Sequence, residues 1–250
     1  IADAETRGFA AAGIVGVSLA TSVAAMEGKT RAYVGRYTDL TAGDVNLTAT
    51  EVAAQALSEV ASTSVSGAVD VAVLTSEAFA ARITETFVGD HSTVNLGAHN
   101  LTGVATTKVL DNANQLVPMA SASIASVGGA GLVDVNDMTV IAVVGQKDPA
   151  SQESATRAYV GSNSDVTANN VTLDAVSSTT VEADASNFSA AGLVAVSVST
   201  ITARNAHDGA VYLGDDTDLT LDGTLHMLAD NTVTARPQSK NTGFAGAVSV

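Results

Sequence analysis

The chain has 250 residues and 46% of them are apolar, yet it holds only five Phe, four Tyr and no Trp, so its core must be thin and regular. Charged residues make up 15%; the net charge is −15, and the 11 Lys and Arg form no cluster, which removes the electrostatic basis for nucleic-acid binding. No Cys is present, which excludes disulfides and thiolate metal sites.

In chain order, residues 9–26, "FAAAGIVGVSLATSVAAM", carry no charge and have the length of a bilayer span. However, Val15, Val17, Leu19, Thr21 and Val23 alternate with period two, the pattern of a strand. Later counterparts of the segment carry Asp70 in "GAVDVAV" and Asp134 in "GLVDVND", so no membrane insertion is expected. The phrase "TRAYVG" follows at residues 30–35 and returns at 156–161. Beyond it, "DVNLTAT" alternates as a strand does. "TEVAAQALSEVAS" has helical composition but occupies the place held later by "SSTTVEADAS" and "TVTARPQSK", so a strand is expected there too. Further alternating runs, "NVTLDAV", "GLVAVSVST" and "DLTLDGTLHML", are separated by Gly, Asn and Asp, the residues of turns.

Two phrases organise the whole chain. Gly opens "GIVGVSL", "GAVDVAV", "GLVDVND", "GLVAVSV" and "GAVSV" at Gly13, Gly67, Gly131, Gly192 and Gly246, giving units that begin 54, 64, 61 and 54 residues apart. Downstream come "YVGRYTDLTAGDVNLTA", "FVGDHSTVNLGAHNLTG", "YVGSNSDVTANNVTLDA" and "YLGDDTDLTLDGTLHML", which align without gaps. The polar "GQKDPASQE" from Gly145 to Glu153 reads as an insertion that lengthens the third unit by eight residues. Tyr33, Phe87, Tyr159 and Tyr212 hold one recurring place, with Gly35, Gly89, Gly161 and Gly214 permitting a turn behind them. Phe9, Phe188 and Phe244 fall just before the opening Gly. Such recurrence predicts an all-β parallel β-helix (β-solenoid) of about four 54–64-residue units, residues 1–250 forming one continuous segment. Each unit is expected to make two or three coils of roughly 18–27 residues, a rod on the order of 50–65 Å for the chain. A propeller is the other architecture considered. Because the chain stops in mid-unit at "GFAGAVSV", it is expected to be a fragment of a longer repeat protein.

The candidate sites are few. "GDDTD" gathers Asp215, Asp216 and Asp218, hard oxygen donors of the kind calcium takes, although neither a twelve-residue calcium loop nor a nonapeptide array is present. A solvated acidic turn is the competing reading, because Asp39 and Asp165 recur at the place of Asp218. Catalysis by these residues with Asp222, as in polysaccharide-cutting β-helices, is the less favoured alternative. His91, His99, His207 and His226 lack metal-ligand spacing. His207 beside Asp208 could suggest acid–base work, but a surface position is expected. Asn46, Asn100, Asn170 and Asn187 head formal glycosylation triplets and read as polar ladders of strands and turns. No cofactor is expected, calcium aside, and no catalytic residue is assigned.

"TRAYVGRYTDLTAGDVNLTA" and "TRAYVGSNSDVTANNVTLDA", with their alternating "VSVS"-type runs, resemble the repeats of very large secreted bacterial adhesins. The leukotoxin-type filamentous adhesins and autotransporter passenger domains are similar. The resemblance covers essentially the whole chain. It implies an extracellular, cell-surface-attached β-solenoid that mediates attachment or builds an appendage, with self-association into a fibre or an extracellular target as its partner. Unit two departs from the pattern, with Phe87 for Tyr and Glu85 where Arg31 and Arg157 stand. A carbohydrate-active β-helix, enzyme or lectin, is the alternative function. Ice or mineral binding by Thr ladders is set aside because the Thr spacing is not strict.

Overall fold

The computed structural model describes residues 1–146 and 152–249. The chain runs through β1 (Ala2–Ala12), β2 (Val15–Val34), β3 (Asp39–Thr41), β4 (Val45–Glu51), β5 (Ala56–Ser66) and β6 (Val69–Val88). It continues through β7 (Thr93–Asn95), β8 (Leu101–Lys108), β9 (Ala120–Ala130), β10 (Val133–Val144), β11 (Ser154–Val160) and β12 (Asp165–Ala168). The last strands are β13 (Val171–Ala191), β14 (Val194–Asn205), β15 (His207–Leu213), β16 (Asp218–Leu221), β17 (Leu225–Ala245) and β18 (Val248–Ser249). No helix occurs among the described residues, and none is long and apolar enough to cross a membrane. Residues 9–26 instead end β1, turn at Gly13 and Ile14, and open β2.

Three sheets result. The first holds β1, β4, β5, β8, β9, β13 and β17; the second β2, β6, β10, β11, β14, β15 and β18; the third the short β3, β7, β12 and β16. Strand pairing within them is parallel throughout. The chain visits the second sheet, the third and then the first, and re-enters the second one row further on. Val15, Val69, Val133, Val194 and Val248 are thereby successive partners. Each unit contributes one layer, not the two or three coils expected. The reason is strand length: β2 and β6 have 20 residues and β13 and β17 have 21. At ~3.3 Å per residue such strands span roughly 65 Å, while five rows at ~4.8 Å stack to only about 20 Å. The described chain is broad and shallow, not the expected rod of 50–65 Å.

Two interruptions leave the register intact. Residues 109–119 loop out between β8 and β9, held by a Leu110–Leu116 bridge and by Asp111 Oδ1, which accepts from the Ala113 and Gln115 amides at 2.8 Å. Opposite them β13 continues unbroken and pairs with both flanking strands. Between β10 and β11 the eight extra residues fall where the repeat places them, since Val144 pairs with Ala80 and Ala155 with Ile83 on an uninterrupted β6. Of the "GQKDPASQE" insertion, residues 147–151 lie outside the described residues. The helix-like "TEVAAQALSEVAS" is strand from Ala56 onward, its propensity overridden by pairing with β1 and β9.

The interior is sorted by side-chain size. Near the Gly corner the first two sheets face each other across Ser and Ala. Ser22 Oγ reaches the Ala4 carbonyl at 2.9 Å, and Ser58 Oγ reaches the Ser22 carbonyl at 3.0 Å. A hydroxyl that touches the opposite backbone means that the sheets lie closer than the ordinary ~10 Å. Ala72, Leu74, Ala78, Ala122, Ile124, Met138, Val140 and Ala183 fill the adjoining slab. At the far end, against the third sheet, larger Val and Leu side chains pack: Val88, Val94, Leu101, Val160, Val166 and Leu173.

Candidate functional site: the aromatic column and its turn

At the end of the long strand of the second sheet, Val34, Val88, Val160 and Leu213 turn inward. The residue before each therefore faces out, and the parallel register sets Tyr33, Phe87, Tyr159 and Tyr212 directly above one another. Their rings stack with centroids 4.9, 4.9 and 4.7 Å apart and planes within 6° of parallel. The rings thus cover one another's faces and offer their edges to solvent. A flat ligand could lie only on the end rings. Burial in the stack, with the Glu85 charge nearby, pushes the Tyr159 hydroxyl up to about 12.

Two residues upstream, Arg31, Glu85 and Arg157 form a second outward column. Arg31 Nε donates to Glu85 Oε2 at 2.8 Å; Arg157 lies 3.8 Å from Glu85 Oε1 and 2.7 Å from Glu153. The departure of unit two is therefore a charge alternation. A carboxylate between two guanidiniums is what stacking at one-layer spacing requires, because like charges in register repel.

The turn after each aromatic has a different basis from the one expected. Gly35, Gly89, Gly161 and Gly214 are not in the left-handed region; Tyr37, His91, Asn163 and Asp216, two residues later, are, with φ of 54–56°. The glycines are needed for close approach. A Cβ on Gly89 would lie 2.7 Å from the Arg36 amide nitrogen, and one on Gly214 2.5 Å from that of Ser162. The opening glycines behave alike: a Cβ on Gly67, Gly131, Gly192 or Gly246 would meet the carbonyl oxygen of the glycine one layer below at 1.9–2.3 Å.

The calcium candidates lie along this turn. Asp216 is its left-handed residue, and Asp218 begins β16 in line with Asp165. The Asp215 carbonyl accepts from the Asn163 amide at 2.8 Å. No group of three or more His, Asp or Glu that could hold a metal occurs among the described residues. The gapless alignment ends just beyond, for Val45 pairs with Leu101, and Leu225 with Val171, so unit two carries two extra turn residues and unit four one. Asn100 and Asn170 do form a turn ladder: Asn170 Nδ2 donates to Asn100 Oδ1 at 2.8 Å. Asn187 is buried and donates to Ser197 Oγ at 2.9 Å. Phe244 is not in the column of Phe188: it pairs with Ala190, and the two rings lie tilted 5.7 Å apart.

His207 corrects the expectation of a surface position. It is 5% exposed, while the Asp208 side chain points outward. Its Nδ1 lies 2.7 Å from Ser154 Oγ and its Nε2 2.8 Å from Thr156 Oγ1; Thr156 continues to Thr107 at 2.6 Å, and Thr107 to Thr84 at 2.8 Å. Ser154 Oγ donates to the Arg82 carbonyl at 3.1 Å. With its own hydrogen committed to that carbonyl, Ser154 Oγ accepts from the Nδ1–H of His207. Burial lowers the pKa of the ring to about 4. A Ser–His contact sealed in this way has no route to a substrate. The signal for it was parity, since His207 pairs with the inward Ser154.

The chain matches no known protein family, no curated protein and no solved structure.

Proposed function

We propose that the chain is a stretch of β-solenoid shaft from a large extracellular bacterial surface protein, doing structural and adhesive work through repetition. The register carries this reading: whole units stack as single layers, so every added unit lengthens the shaft without changing its cross-section. The columns of rings, alternating charges and glycines are stacking devices, and weak contacts along such columns sum when a partner meets many layers. That partner is a cell-surface or other extracellular target, or a second shaft in a bundle. The net charge of −15 argues against nucleic acid.

Purified chain added in excess is expected to compete with cells displaying the parent protein for attachment. It is also expected to release no sugar ends from polysaccharides. Release of sugar ends that is lost when surface Asp residues become Asn would overturn this reading in favour of a carbohydrate-active enzyme.

A further inference from the structure

The two broad sheets differ in what they show to solvent. Outward columns of the first carry Asp3, Glu5, Arg7, Glu59 and Lys240. On the second sheet Val15 and its four partners form one outward column, and Val17, Val71, Val135 and Val196 form the next. Leu19, Val73, Asp137 and Val198 make the third, and Thr21, Thr75, Thr139 and Thr200 the fourth. Parity sets the direction, because the residues between them, Gly16, Ser18, Ala72 and Leu74 among them, are buried. Leu19 is 74% exposed, Val17 58% and Val198 52%. Asp137 is the one charge in the four columns.

With ~4.8 Å between rows and roughly 6.6 Å between outward neighbours along a strand, the four columns cover roughly 500 Å². An apolar patch of this size marks a contact surface. We propose that its occupant is the same face of a second copy of this chain. Rows repeat at the same ~4.8 Å on both copies, so the ridges of one enter the grooves of the other along the whole face. Two chains of net charge −15 repel each other, and here they meet with the least charge in the contact. Two such faces bury about 1,000 Å² together, the lower bound of a specific interface. Asp137 limits the strength of the contact, since its carboxylate loses water there. The inference deepens the shaft reading by naming the face that a second shaft meets, and it rests on that reading only for shafts longer than this chain.

Sedimentation velocity of the purified chain, from micromolar to submillimolar concentration, is expected to show a monomer–dimer equilibrium with a Kd on the order of 100 µM. V71D/V135D is expected to stay monomeric over that range. A125D, which places a charge on the outward side of the first sheet, is expected to dimerise as the wild type does. D137V puts a good strand former on the face, so its reading does not depend on V71D/V135D folding; it is expected to tighten the dimer about 10-fold. A chain monomeric at every concentration, association left intact by V71D/V135D, or no gain in D137V would each overturn the proposal. Monomers that float with phosphatidylcholine vesicles would overturn it in favour of a lipid surface. An intact dimer that fails to compete for cell attachment would instead count against the function proposed above and leave this face assigned.

Discussion

A methyl group on Gly192 would lie 2.1 Å from the carbonyl oxygen of Gly131, whereas one on Gly13 would meet nothing within 4 Å. The same residue type at the same place in the repeat is thus indispensable with a layer beneath it and free without one. Gly192→Ala is expected to lower stability by about 2–4 kcal/mol, and Gly13→Ala by less than about 0.5 kcal/mol. Urea denaturation of the two variants compares them directly, and equal losses would show that the glycines serve the turn rather than the stacking. His207 makes a second prediction. The folded ring takes its proton at about 4 and the unfolded one at 6.5, so between these values the unfolded chain binds more protons. Stability from this residue is complete above 6.5 and is lost as pH falls through 4, a total of about 3 kcal/mol. Against the wild type, His207→Gln is expected to flatten the stability–pH profile between these limits. An unaltered profile would assign the acid sensitivity to other groups.

At the scale of the strand, the aromatic column is a cooperative stack whose interior members count twice. Phe87 stacks on both Tyr33 and Tyr159, while Tyr33 has one neighbour. Phe87→Ala is expected to cost about 1–3 kcal/mol and Phe87→Tyr almost nothing, because the ring face, not the hydroxyl, makes the contact. Thermal melts of the pair test this. Glu85→Arg would place three guanidiniums in line and is expected to destabilise more than Glu85→Gln; the reverse order would remove charge alternation as the reason for the odd unit. These columns were readable in advance, because parallel pairing in register turns a sequence period into a spatial column. The lengths of the strands were not readable. A run such as residues 15–34 exceeds the usual strand several-fold, and nothing in an alternating pattern says where it bends. The gapless alignment failed for a related reason, since loops on the outside of a turn accept extra residues without shifting the strands that follow.

For the molecule as a whole, Gly67, Gly131, Gly192 and Gly246 each stand two residues before valines that pair in register, but their spacing does not say how many layers each unit makes. Asp70 and Asp134 served only to argue against a membrane span, yet both are buried, on the inward parity of their strands. His207 was misplaced for want of the same parity argument. Both errors arise because composition fixes how much polar surface a chain has, whereas the face on which it falls depends on register. One layer per unit makes the described chain short and wide, so the proposed shaft would need many such units to reach any length. The axial rise per unit tests this most directly, by cryo-electron microscopy of a tandem array of these units. Each unit of 54–64 residues is expected to add ~4.8 Å of length. A rise of roughly 10–14 Å per unit, two or three layers for each, would contradict it.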